Sequence, residues 1–148
     1  VAIEEHQPFG IWNPQEGTRL MNTFGEVFVA TADEVDSKTN LMKFSGPEGS
    51  SKEVFRKIKV INQWFAPWGV SVSALDLSSR YAWHAKLSNG VTVELGRELD
   101  EHDSQQIVVN VERLIKTWPQ LDEKLVARID GIDLRYSNGY AVHLGKKL

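Results

Sequence analysis

Cysteine is absent from these 148 residues, which excludes disulfides, thiol catalysis and cysteine-ligated metal and leaves reducing and oxidising compartments equally open. No window approaches the roughly 20 apolar residues of a membrane span, and no signal peptide opens the chain. Val1-Ala2-Ile3 begins inside a strand pattern, so the sequence reads as a piece of a longer protein from which such segments have been cut. Lys and Arg number 17 against 20 Asp and Glu, and they are scattered rather than striped, which argues against nucleic acid as the main partner.

Catalytic and phosphate motifs are missing too. There is no G-x-S-x-G, Rossmann fingerprint or H-E-x-x-H, and Gly46-Pro47-Glu48-Gly49 lacks the Lys-Ser/Thr that would make it a phosphate loop. His6, His84, His102 and His143 lie far apart, none with a ligand at metal-site spacing. Glu4-Glu5 and Asp100-Glu101 are adjacent carboxylates, which point apart in a strand or sit at a helix start, so they read as solvated faces. No enzyme is expected, nor any metal, cofactor or small-molecule substrate.

What is present is a core. At 41% hydrophobic content the chain can bury the interior of one domain. Residues 1–12 read as an extended join broken at Pro8, which cannot donate to a ladder. Residues 18–22 and 26–30 flank Thr23-Phe24-Gly25 as a short hairpin, 31–40 is a polar surface loop, and 41–44 is a brief strand. Ser50 and Glu53 have capping-box spacing, followed by Val54, Ile58, Ile61 and Phe65 at helical period and a stop before Pro67. Residues 70–77 form a strand with a slip in its alternation before Leu75.

A hairpin then pairs Leu87 with Val91, Ala85 with Val93 and Trp83 with Leu95 around Ser88-Asn89-Gly90. Asp100, Glu101 and Asp103 place negative charge at the start of a second helix, whose stripe is Ile107, Val111, Leu114, Ile115 and Trp118, ended by Pro119. Apolar parity changes at Gly131, where a bulge would keep one face buried. The order of strands, helix, three strands, helix and hairpin predicts an α+β class: a mostly antiparallel sheet with two helices packed on it.

The final hairpin organises the rest. A three-residue loop, Ser137-Asn138-Gly139 with Gly139 left-handed, would pair Tyr136 with Tyr140, Leu134 with Val142 and Ile132 with Leu144, giving one apolar face. A two-residue turn would instead mix Asp133 and Arg135 into it. The second arm has no later segment to pair its outer side, and Lys146 and Lys147 add charge where an open edge needs protection. It is an exposed edge strand, either guarded or built for docking.

The runs EEHQPFGIW, NTFGEVF at 22–28, FSGPEGS at 44–50, VELGR at 93–97 and DLRYSNG at 133–139 resemble, in order and over nearly the whole chain, the extracytoplasmic part of the bacterial FtsQ/DivIB cell-division family. The resemblance implies that 1–12 is the remnant of the last POTRA strand and a linker, and that 13–148 is an FtsQ-type β domain. It also implies an inner-membrane protein anchored by a single-pass segment absent here, with this domain on the periplasmic side. Its implied role is a non-enzymatic scaffold that recruits FtsB and FtsL to the divisome, FtsB adding a strand to the last strand of the sheet.

By motif position the resemblance assigns partner contacts to Arg135 and Tyr136, and the hairpin turn to Asn138 and Gly139, which would hold the edge in register. It matches Arg80 to a basic residue that pairs with a partner carboxylate. Docking would then run along Tyr140, Val142 and Leu144, the last standing where some members carry tryptophan. From the residues alone, Tyr136 is open between core and interface. The alternative function is a cell-wall carbohydrate-binding module using exposed aromatics such as Trp12, Trp68 or Tyr140, although Trp64 and Trp118 near helix ends and Trp83 on a core face read as packing.

Overall fold

Alternating apolar residues build nine strands, and the computed structural model describes them within residues 8–14, 17, 19–31 and 41–145. The strands are β1 (Pro8–Trp12), β2 (Arg19–Asn22), β3 (Val27–Val29), β4 (Met42–Ser45), β5 (Val72–Leu77), β6 (Ala82–Leu87), β7 (Thr92–Arg97), β8 (Ile129–Asp133) and β9 (Ala141–Leu144). They form one sheet in the order β3-β2-β1-β4-β5-β6-β7-β8-β9. Pairing is antiparallel except at β1–β4, β4–β5 and β7–β8. Two of those parallel pairs are joined by the long helices, α1 (Ser51–Trp64) between β4 and β5 and α2 (Glu101–Thr117) between β7 and β8, since a parallel pair needs a long crossover.

Both helices contribute to one core cluster. Val54, Ile58 and Ile61 of α1 and Ile107, Val111 and Leu114 of α2 pack with Phe44, Leu75, Trp83, Val93 and Ile132 from the strands. The helices thus cover one face of the sheet, while Lys43, His84, Lys86 and His143 stand exposed on the strands. Each helix runs into a 3-10 turn, Ala66–Trp68 and Trp118–Gln120, because Pro67 and Pro119 end the α pattern. The rings of Trp68 and Trp118 stack at 4.5 Å and tie these two ends together. A short α3 (Glu123–Val126), which the mixed sequence there did not announce, leads into β8.

Several expectations hold. The hairpin around 23–25 and the bulge beside Gly131 are present; the brief strand runs over Met42–Ser45, and the slip in β5 falls between Val72 and Ala74, one step earlier than the alternation suggested. The bulge leaves both Ile129 and Ile132 buried, as the parity change required. Asp100 accepts the Asp103 amide at 2.9 Å and starts α2.

Others need correction. Ser50 makes no side-chain cap; its hydroxyl donates to the Pro47 carbonyl at 2.5 Å, so the capping box does not form. In β7, Gly96 takes φ +99° and faces Trp83, so Leu95 is the extra residue of a bulge and not the partner of Trp83. Pro8–Trp12 lies inside the sheet, bonded to β2 and β4, with Pro8 at the strand's first position where its missing N–H is tolerated. β1 is therefore part of the same sheet as the strands that follow it. Residues 32–40 of the expected 31–40 loop, residues 1–7 with His6, and Lys146 and Lys147 lie outside the described residues.

The final hairpin differs most. Ile132 faces Val142, Asp133 faces Ala141 and Ile129 faces Leu144, and the connection is seven residues, 134–140, rather than three. Gly139 does not adopt positive φ, whereas Gly90 in the other Ser-Asn-Gly does, at +89°. A shift of two residues keeps every apolar side chain on its face, so alternation cannot distinguish the two registers.

Candidate functional site

At the far side of the sheet β9 has β8 as its neighbour and no other strand among the described residues. The Gly145 amide donates to the Arg128 carbonyl at 3.1 Å, which fixes the phase of the ladder. By the alternation of an antiparallel pair, the amides of His143 and Ala141 then turn inward to β8, and those of Val142 and Leu144 turn outward. Val142 is half-buried against the core, while Ala141, His143 and Leu144 are exposed. The result is a short open edge with one side chain anchored.

Beside this edge the chain leaves the sheet at Leu134. Its amide still continues the β7 ladder, donating to the Glu94 carbonyl at 2.9 Å. Its carbonyl instead accepts from Asn110 Nδ2 of α2 at 2.8 Å, a bond closed off from solvent. One residue earlier, the Asp133 carboxylate takes the Arg135 amide at 3.0 Å and grips its guanidinium at 2.9 and 2.7 Å. By the same alternation the Arg135 amide lies on the β9 side of the strand, so its capture by Asp133 takes up the next donor of that ladder, and pairing stops at Asp133–Ala141. The Arg135 hydrogen bonds hold the Asp133 carboxyl below its usual range, and the same pair raises Arg135.

Arg80, Arg135 and Tyr136 line one groove of about 600 Å³ between the β5–β6 turn, the end of β7 and the first half of α2. Arg80 is exposed in that turn, its amide donating to the Ser78 hydroxyl at 3.3 Å. Tyr136 is 50% exposed, so of the two alternatives left by the sequence the core is excluded. Asn138 is exposed and Gly139 half-buried in the connection. Tyr140 is half-buried, its hydroxyl 2.6 Å from Thr117 Oγ1 at the end of α2. Arg80, Arg135 and Tyr136 therefore meet in the groove, while Tyr140, Val142 and Leu144 mark the edge.

The carbohydrate platform has no such assembly. Trp12 is 1% exposed, Trp68 is half-buried and stacked on Trp118, and Tyr140 is half-buried against the core, so none of the three stands out as an exposed ring. Asp100, His102 and Asp103 bring ligand atoms within 4.8 Å of one another, but Asp100 and Asp103 already accept the amides that start α2. His84 and His143 are exposed beside Glu94 and Asp130.

Asn110, Thr117 and Asp133 were not among the residues singled out from the sequence. A signal existed for the first: Asn110 falls three residues after Ile107 and four before Leu114, a polar side chain in the buried stripe.

Comparison with known proteins adds a family to this geometry. The family model described as cell division protein FtsQ/DivIB, C-terminal, matches residues 10–135, a stretch that includes Arg80 and Arg135 and stops at the start of the connection. A protein named cell division protein FtsQ from Burkholderia pseudomallei is 40% identical over 142 residues, 96% of this chain and 54% of that protein. Proteins of the same name from Bordetella pertussis and Shewanella oneidensis are each 35% identical, over 97% and 98% of this chain and 55% and 50% of theirs. The chain thus spans about half the length of these relatives.

Proposed function

Because the chain belongs to the FtsQ/DivIB family of cell-division proteins, we propose that it is a non-enzymatic divisome scaffold that docks an extended segment of an FtsB-type partner, with FtsL in the same assembly, by strand addition to β9. The observation that carries this reading is the outer side of β9, which pairs with no other strand among the described residues, with the Val142 and Leu144 amides facing out. Main-chain bonds along that edge supply affinity, and flanking side chains supply choice. Arg135 and Arg80 offer charge to partner carboxylates from the adjoining groove, and Tyr136 offers a large, half-exposed amphipathic surface of the kind enriched at interfaces.

No helix among the described residues is long and apolar enough to cross a membrane. The domain works on the periplasmic side of the inner membrane, held by a single-pass anchor outside this sequence. A short edge with open amides suits a regulated contact, because isolated strand pairing is weak until side-chain anchors are added.

The test is binding of the extracytoplasmic segment of an FtsB-type partner to the chain and to two variants. Val142→Pro removes an outward amide without touching an inward one, and Tyr136→Ala removes the exposed anchor. Each is expected to weaken binding at least tenfold while thermal unfolding stays cooperative. Full binding by Val142→Pro would overturn strand addition.

A further inference from the structure

The connection that carries Arg135, Tyr136, Asn138 and Gly139 is held at both ends by one helix. Asn110 of α2 donates to the carbonyl of Leu134, the first residue after β8, at 2.8 Å. Thr117, on the same helix, lies 2.6 Å from the hydroxyl of Tyr140, the last residue before β9. Seven residues separate Asn110 from Thr117, close to two helical turns, so both project from one face about 10.5 Å apart along the axis.

The polarity of the second bond can be assigned. Thr117 Oγ1 also lies 2.8 Å from the Arg113 carbonyl, which can only accept, so the threonine proton goes there and the Tyr140 hydroxyl donates to Thr117. Asn110 is similarly satisfied, its Oδ1 accepting from Gln106 Nε2 at 2.9 Å, which fixes its amide with Nδ2 toward Leu134. Asn110 is 5% exposed, so its bond is shielded from competing water.

We infer that α2 is the positioning element of the docking surface: Asn110 and Thr117 are positioning residues that set the span of the 134–140 connection, and through it the placement of Tyr136 and the register of β9, before any partner arrives. The inference rests on the strand-addition reading of β9 and deepens it. The connection has no regular hydrogen-bonded structure of its own, and a free seven-residue segment would have to be ordered on binding. Anchoring both ends to a rigid helix removes much of that entropic cost. It also explains why Ser137-Asn138-Gly139 does not close into the tight loop formed by Ser88-Asn89-Gly90, since the anchors hold its ends on α2 rather than on each other.

The experiment compares Thr117→Val, Tyr140→Phe, the double variant and Asn110→Asp in the whole chain, using the FtsB-type segment as probe and amide hydrogen exchange as a second readout. Thr117→Val is nearly isosteric and safeguards the test should Asn110→Asp fold poorly. The expected result is a roughly fivefold loss of affinity for each single variant, the size of one hydrogen bond's free energy. Exchange at Ala141 and His143 should quicken while β5–β7 stay protected, and Thr117→Val should add nothing in the Tyr140→Phe background. Faster exchange with unchanged affinity, or additive effects in the double variant, would overturn the inference. Val142→Pro run beside them separates the two readings: if it abolishes binding while Thr117→Val keeps both affinity and protection, only the positioning role fails. If Val142→Pro binds fully, strand addition itself fails.

Discussion

Lys57 of α1 and Glu98 just past β7 meet at 2.8 Å with their side chains only 15% and 18% exposed. The indole N–H of Trp83 donates to the same carboxylate at 3.0 Å, so helix, strand end and core tryptophan converge on one charge. The pair stands where β7 gives way to α2, the helix that holds the candidate docking surface.

This contact predicts a pH dependence. Burial by itself pushes the Glu98 carboxyl up, but the hydrogen bond and charge of Lys57, with the bonds from Trp83 and Ser104, outweigh it and leave Glu98 below its ordinary value. A depressed carboxylate stabilises the fold above its unfolded-state pKa of about 4.3 and loses that contribution as pH falls through the lower folded-state value. Glu98→Gln should therefore cost roughly 1–3 kcal/mol at pH 7, where it strands Lys57. The deficit should shrink toward pH 3, as read by urea denaturation at both pH values. An equal deficit at both would refute the assignment.

Gly10 supplies a test of how β1 packs in the sheet. A methyl group there would run into the Phe44 ring and come within 2.9 Å of the Met42 carbonyl, and Phe44 is fully buried. Gly10→Ala should destabilise the chain by about 1–3 kcal/mol. A melt unchanged from the parent would show that β1 is not packed into the sheet.

Asp133 competes with any partner for Arg135. Its carboxylate occupies two guanidinium nitrogens, so an incoming carboxylate must share or displace it. Asp133→Asn keeps an oxygen for the Arg135 amide and releases the charge. Affinity for an acidic partner segment is expected to rise by up to roughly fivefold, the scale of an exposed ion pair, whereas Arg135→Ala should lower it. Isothermal titration distinguishes these signs.

The tryptophan stack joins the two helix ends through residues far apart in sequence. A double-mutant cycle of Trp68→Leu and Trp118→Leu should return a coupling of about 0.5–1.5 kcal/mol, the range for aromatic pairs. Additive losses would mean that the rings pack independently.

Much of this was legible in the chain itself. Ile107, Val111 and Leu114 at helical period, Ala85 and Val93 in alternation, and the parity change at Gly131 each stated which side faces the core, because burial of apolar area is enforced locally at every residue. The family resemblance carried by DLRYSNG implies roles for Arg135 and Tyr136, which the fold places beside Arg80 in one groove. Tertiary structure alone decided the rest. Whether Ile132 faces Leu144 or Val142 is invisible to a period of two; in the folded chain Asn110 holds the Leu134 carbonyl and Thr117 meets the Tyr140 hydroxyl, so both ends of the connection lie on α2. Such bonds join residues up to 24 positions apart and leave no periodic trace, since a hydrogen bond depends on where two atoms meet in space, which only the packed helix and sheet determine.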